Sequence, residues 1–541
     1  MRRLALALGL LAACDQGDRG PRWRPAGNLT PRRGGELRYA SKDQVRTLDP
    51  AIAYDEVSSF ALHPMFDTLL DYEPDGVGLV ERLAARWTLS PDKLVYTFEL
   101  RDGITYSDGG PIVAGDFEYS LERVLRMPSS PFGAFLGDVV GAAEVIAGTA
   151  TDCAGIVATS DRELVIRLAR PNTAFKYILA MTFSTPLRRA HVVAAGEDIR
   201  RLPLESGPYM LAAWDEGERL VLTRNPHYTI PDRGYLDTIT MLENIARDTQ
   251  FLMFEKGELD TAERLSAPDL LWITSQPAWQ PYVRQQPMLN AFGSRMNVRV
   301  PPFDSKLVRQ ALNYALDKQS SVKLLNGTAV VSHGLLPPGL AGRDATLAPY
   351  PHDPAKARAL LAQAGYPDGF DLDYVVMADE EAEKLAASLQ GDLAQVGVRV
   401  HIQLMSFATY IGAIGKRDGA PFSKATWIGD YPDATNFLDA RFHSRMIADE
   451  NSTNDSFYAN PVLDRLLDDA RAETDEAVRA ALYRKAEAIL HDDAPWIWDY
   501  HQLMTEVAQP YVRDGGPHPI WSRDYTRAWL DVDPSGRPVP R

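Results

Sequence analysis

Two stretches of the chain carry residues at the spacing of serine–lysine acyl chemistry. Ser90-Pro91-Asp92-Lys93 and Ser320-Ser321-Val322-Lys323 both read S-x-x-K. Such an enzyme needs the amine beside the hydroxyl as its base, together with a Ser-Asp-Asn or Lys-Thr-Gly partner motif, and the sequence has neither. Ser90 also precedes a strand rather than opening a helix, so a serine hydrolase is a remote reading. The ten histidines are scattered without HxxxH or HExxH, so no metal site built from the protein is expected. There is no P-loop and no dinucleotide fingerprint, and no cofactor is implied. Cys14 and Cys153 are the only cysteines, with no CxxC, which excludes a disulfide framework. Cys153 has no base beside it in sequence that would make it a nucleophile.

The N-terminus reads as an address. Met1-Arg2-Arg3 is basic, Leu4 to Leu11 is apolar, and Leu11-Ala12-Ala13-Cys14 resembles a bacterial lipobox. Residues 1–13 then form a signal peptide, and Cys14 becomes a lipid-modified first residue that contacts membrane lipid. The apolar run is far shorter than the roughly 20 residues that span a bilayer. Residues 14–34 are polar and rich in Arg, Gly and Pro, as a flexible tether would be. The remaining chain holds no uninterrupted apolar stretch of transmembrane length.

The 541 residues are too many for one ordinary core, so two or three packed units are expected. At 45% hydrophobic and 24% charged, the composition is that of a globular protein. The net charge of −16 would repel a polyanion, which argues against nucleic acid as a partner.

Periodicity supplies the elements. Residues 94–101 alternate strictly, with Leu94, Tyr96, Phe98 and Leu100 on one face, and predict a half-buried strand. Leu164, Ile166 and Leu168, and likewise Leu220 and Leu222, repeat the pattern. Asp353-Pro354 is an N-cap followed by a first-turn proline, and Gly365 stops that helix. Leu385, Leu389, Leu393 and Val396 mark a helix that ends at Gly397, and the alternating strand 398–404 follows it directly. Asn460-Pro461 opens a helix with Leu463, Leu466, Leu467 and Ala470 at core spacing, and a helical pattern continues from Val478 to Ile489. Interleaved helices and strands of this kind predict an α/β fold.

Motifs in one order along nearly the whole mature chain carry a resemblance. Leu48-Asp49-Pro50 comes first, followed by LAARWTLSPDKLVYTFELRDGITYSDGGPIVAGDFEYSLERVL (83–125). SGPYMLAAWDEGERLVLTRNPHY (206–228), FEKGELD (254–260), PPFDSKLVRQALNYALDK (301–318), LLAQAGYPDGF (360–370), WIGDYPDATNFL (427–438) and LYRKAEAILHDDAP (482–495) come after it. Together they resemble the peptide/nickel-binding family, family 5, of ABC-transporter extracellular solute-binding proteins, most of all its oligopeptide and dipeptide receptors. The resemblance implies a two-lobed periplasmic-binding-protein-like fold (type II, cluster C) with a hinge and an inserted subdomain. Residues 35–60, 200–288 and 510–541 would form lobe I, 61–199 the inserted subdomain, and 289–509 lobe II. It further implies a monomeric receptor, without enzymatic activity, that captures peptides in the interlobe cleft and hands them to permease subunits in the membrane. A non-peptide solute such as a sugar, an opine or a nickel chelate is the alternative within the same class.

The resemblance also assigns a site. Asp430 would meet the α-ammonium of the cargo by a charge-assisted hydrogen bond. Trp427 would line a side-chain pocket, and the main chain of Thr426 to Ile428 would pair with the peptide as an added strand. Lys424 would face a cargo carboxylate. Phe132 stands where a relative has Tyr, Asn290 would line the cleft, and the stretch from Tyr54 through Glu56 to Val57 would face the peptide from the other lobe. Arg295, in a segment where this sequence departs from the pattern, would add a charge near the cleft.

Overall fold

The computed structural model describes residues 20–28 and 30–540; the leader and Cys14 lie outside the described residues. Strand β1 (Glu36–Ala40) sends Leu37 and Tyr39 into the core. Helix α1 (Glu56–Leu62) is capped by the Asp55 carboxylate, which accepts the Ser58 N–H at 2.9 Å. Strands β2 (Ala84–Leu89), β3 (Val95–Leu100), β4 (Ile156–Ser160) and β5 (Glu163–Arg167) form one antiparallel sheet in the order β2-β3-β5-β4. Tyr96, Phe98 and Leu100 of β3 are buried together, as their spacing of two requires. Strands β6 (Tyr209–Asp215), β7 (Arg219–Arg224) and β8 (Thr238–Leu242) join β1 in a second sheet, ordered β1-β8-β7-β6.

Helix α2 (Arg247–Lys256) and strand β9 (Thr261–Glu263) lead to β10 (Val283–Pro287) and β11 (Asn290–Met296). Strand β12 (Asp371–Met377), helix α3 (Glu380–Ala394) and strand β13 (Arg399–Met405) make a crossover unit with parallel strands. Strand β14 (Phe422–Ile428) follows, then helices α4 (Pro461–Ala472) and α5 (Glu476–Asp493) and the long strand β15 (Trp496–Ala508). The predicted caps are present: Asp353 accepts from the Lys356 N–H, and Asn460 accepts from those of Val462 and Leu463.

Strand β15 joins the two halves of the molecule. Its first part, Trp496 to Tyr500, pairs with β11, and its second part, Leu503 to Ala508, pairs with β10 and β9. Strands β10 and β11 make the same passage in the opposite direction, so paired segments cross together. Such a connection can bend while the bodies on either side stay rigid.

Buried apolar residues fall into separate cores on the two sides. One rests on the β2–β5 sheet, and another on β1 and β6–β8 together with Tyr511 to Leu530 near the C-terminus. A third surrounds Phe251, Leu270 and Trp279. The rest lie between Leu289 and Tyr500. Ala61 to Phe66 and Leu187 to Ile199 pack with the β1, β6–β8 core rather than with the β2–β5 sheet. That sheet's body also touches the far half at the α4–α5 junction. There the Lys93 ammonium donates to the Ala472 carbonyl at 2.6 Å, the Thr173 N–H donates to Arg471 at 3.0 Å, and Asp138 pairs with Arg471.

Candidate functional site

Strand β14 runs from the core to the surface. Phe422 to Ala425 are buried, Trp427 is half-buried, Thr426 is exposed and Ile428 is 63% exposed. Strand β11 pairs with its whole length, from Met296 opposite Phe422 to Asn290 opposite Ile428. On its other side β12 registers only Val375 with Ser423. The edge of β14 over residues 426–428 is therefore left for another strand, as in recognition by strand addition.

Just past this edge the chain turns, and Asp430 meets the opposite wall. The Tyr54 hydroxyl, from the loop before α1, donates to Asp430 Oδ1 at 2.5 Å. Asn436 Nδ2 donates to Oδ2 at 3.1 Å, and the Asp430 N–H donates back to Asn436 Oδ1 at 2.8 Å. Tyr54 stands edge-on to Phe132 at 5.2 Å, and Phe132 is stacked on Phe183 at 4.8 Å. Phe132 is thus buried as the support of Tyr54, with 3% exposure. Among the described residues no Lys or Arg forms an ion pair with Asp430; both side-chain donors it accepts are neutral. Burial pushes its carboxyl above the ordinary aspartate range, and the bonds from Tyr54 and Asn436 only partly oppose this.

A carboxylate at the meeting of two walls, beside an unpaired strand edge, is an arrangement that suits a bound solute. The model of the bacterial extracellular solute-binding proteins, family 5, matches residues 78–449. The chain belongs to this family. It is 29% identical over 498 residues to the "Probable deoxycholate-binding periplasmic protein YgiS" of Escherichia coli K12, covering 88% of this chain and 90% of that one. It is 28% identical over 486 residues to the "Probable D,D-dipeptide-binding periplasmic protein DdpA" of the same organism, covering 86% and 89%. Among solved structures, the "Clavulanic acid biosynthesis oligopeptide binding protein 2" superimposes with a TM-score of 0.86 at 26% identity, covering 94% of this chain and 99% of that one. The fold is the two-lobed α/β fold of periplasmic peptide-binding proteins.

This family 5 solute-binding protein is not an enzyme, and neither S-x-x-K motif builds a dyad. The Ser90 hydroxyl donates to Asp92 and Lys93 reaches Ala472, while the Ser320 hydroxyl donates to Asp317. Among the described residues no group of three metal-ligating side chains occurs, and no helix is long and apolar enough to cross a membrane.

The other expected site residues have distinct places. Trp427 lies under the Arg441 guanidinium, 5.0 Å from its ring, and its indole N–H is buried without a hydrogen-bond partner. Lys424 is 8% exposed. Its ammonium lies 4.8 Å over the Tyr500 ring and 3.4 Å from the Tyr500 hydroxyl, and Phe292 stacks on Tyr500. Burial pushes the Lys424 amine below the usual lysine range, against the pull of Asp499 and Glu381. Asn290 is 2% exposed, and its side-chain oxygen accepts the Gln502 N–H at 2.9 Å, so it fastens the crossing strands to each other. Glu56 opens α1 and is engaged by Arg264 and the Ser522 hydroxyl. The expectation that Arg295 charges the cleft is corrected: it is fully buried and donates to the carbonyls of Asp455 at 2.8 Å and Ala420 at 2.5 Å. Sequence reasoning missed Asn436, which orients Asp430 from six residues downstream. It also missed the Phe292–Tyr500 stack, which covers Lys424.

Proposed function

We propose that this protein captures short peptides with a free α-amino group between its two lobes and delivers them to the permease subunits of an ABC importer. The reading is carried by Asp430, a carboxylate at the contact of the two walls whose side-chain donors among the described residues, Tyr54 and Asn436, are both neutral. An α-ammonium would supply the missing charge there, and the 426–428 edge of β14 would take the peptide backbone as an added strand. Thr426, Trp427 and Ile428 form that edge, with Tyr54 facing it from the first lobe. The names of relatives point the same way, one a D,D-dipeptide-binding and another a di/tripeptide-binding protein. Lipidation at Cys14 would hold the receptor at the outer face of the cytoplasmic membrane, with the folded body in the periplasm. Replacing Cys14 with Ser should release it into the soluble periplasmic fraction.

A relative named for deoxycholate, which has no amine, keeps a non-peptide cargo as the second reading. Calorimetry with Ala-Ala and its N-acetyl derivative separates the two. Asp430→Asn should weaken Ala-Ala by about 100-fold or more, the cost of stranding a desolvated charge, about 3 kcal/mol. Wild-type protein should fail to bind the acetylated form. Equal affinity for both peptides, or an unchanged affinity in Asp430→Asn, overturns the peptide reading.

A further inference from the structure

A polar cavity of about 40 Å³ lies in the wall that carries Tyr54. In this measure it has room for about three waters, or one carboxylate group. Lys42 and Asp43 from the loop after β1, Glu56 of α1, Arg247 of α2 and Arg264 line it. These charges are not equivalent. Glu56 is held by Arg264 and Ser522, and the neighbouring Glu263 is paired with Arg523. Lys42, Asp43 and Arg247 form no ion pair within 4 Å among the described residues, which leaves two cations and one carboxylate free to answer a ligand. Arg247 is the first residue of α2, and Ala246 before it offers no capping side chain, so the first N–H groups of that helix add to the positive rim.

The position of this cavity matters as much as its charge. Glu56 follows Tyr54 by two residues, so the wall of the cavity begins within about 7 Å of chain from the residue that touches Asp430. Burial raises the carboxyl of Glu381 in the first turn of α3, with Lys424 and then Arg247 among the cations that oppose it. Lys424, the cation that the resemblance offered for a cargo carboxylate, is buried against Phe292 and Tyr500 instead.

We propose that Lys42 and Arg247 form an anion subsite that takes a carboxylate of the cargo, on the first-lobe wall that also carries Tyr54. This rests on the peptide reading above and narrows it to short peptides with a carboxylate close to their amino terminus. The C-terminal carboxylate of a dipeptide and an acidic side chain share this chemistry, and the choice of probes distinguishes them.

Calorimetric titration of Ala-Ala, Ala-Ala amide and Ala-Asp amide into wild type and the Lys42→Ala/Arg247→Ala double variant tests the subsite. Both positions are exposed, and an unchanged melting temperature would verify folding. Wild type should bind Ala-Ala at least tenfold more tightly than its amide. An Ala-Asp amide that matches Ala-Ala places an acidic side chain in the subsite; one that matches Ala-Ala amide reserves it for the C-terminus. The double variant should bind all three peptides alike, while N-acetylation still abolishes binding because Asp430 is intact. A wild type that binds acid and amide alike, or a double variant that keeps the wild-type preference, overturns the subsite and leaves the peptide reading standing. If no free-amine peptide binds wild type at all, the peptide reading itself falls, and the subsite with it.

Discussion

Asp430 and Asp433 sit three residues apart in one turn and are treated in opposite ways. Asp433 receives the Arg479 guanidinium through two bonds, at 2.5 and 2.7 Å, with both side chains 3% exposed. It also accepts the N–H and hydroxyl of Thr435, at 2.9 and 2.7 Å. Burial alone would raise the Asp433 carboxyl, but Arg479 and the bonds from Thr435 together outweigh it and hold the group below the ordinary aspartate range. Among the described residues no such cation pairs with Asp430, and burial raises it. Asp455 is likewise paired with Arg441, and Asp67 and Asp71 with Arg233. These carboxylates each come with an arginine, and others such as Glu487 and Glu243 are answered by N–H groups of the fold itself; on the proposed reading, Asp430 at the contact of the two walls is left for a charge from outside.

The sharpest way to break this comparison is to remove each charge and read stability. Asp433→Asn strands the Arg479 guanidinium in the core and should destabilise the fold by about 3–5 kcal/mol. Asp430→Asn keeps a side chain of the same shape with no internal cation to strand, so its stability should stay within about 0.5 kcal/mol of wild type. Denaturant unfolding of both variants measures the difference. Equal losses would make Asp430 one more scaffold carboxylate, and the contrast would vanish.

Acid should separate the two groups next. A carboxyl whose folded value is raised takes up its proton early as pH falls, and protonated Asp430 cannot neutralise an ammonium. Affinity for a free-amine peptide should therefore begin to fall above the ordinary aspartate value of 3.8, by about tenfold per pH unit once below the group's own value. Asp433 has the opposite sign. Its contribution to stability is complete above the unfolded value and is lost only as pH falls through its depressed folded value, below 3.8. Calorimetry and circular dichroism from pH 7 to pH 3 should show binding fail while the fold persists. Coincident loss of the two would place Asp430 and Asp433 in the same class.

The same contrast explains what the sequence could and could not say. Alternation at 94–101 and the stops at Gly365 and Gly397 describe neighbours within one element, and the structure has those elements, with both glycines at positive φ of 92° and 85°. Asn460 and Asp353 announce helices because a cap acts within four residues. The environment of Lys424 depends instead on Tyr500, 76 residues away and brought alongside by β15. Arg295 looked like a cleft charge because nothing near it in sequence reveals that the carbonyls of Ala420 and Asp455 surround it. Asn290 looked like a lining residue, yet its side chain is bound to Gln502, 212 positions on. Local pattern predicts elements; which charge is already answered depends on contacts made by the whole fold.

The finest test concerns the strand edge beside Asp430. At Ser423 strand β14 is paired on both sides, with Arg295 of β11 and Val375 of β12, whereas beyond it the ladder to β12 ends while that to β11 continues. If residues 426–428 bind the cargo backbone, methylating one peptide nitrogen that donates to β14 should remove one hydrogen bond, about 1 kcal/mol or roughly fivefold in affinity. The neighbouring nitrogen, pointing the other way along an extended chain, should tolerate the methyl with a smaller loss. A scan of single N-methyl groups through a tripeptide should then alternate between large and small effects. A flat scan would mean that the ammonium alone positions the cargo and that the open edge of β14 takes no part in binding.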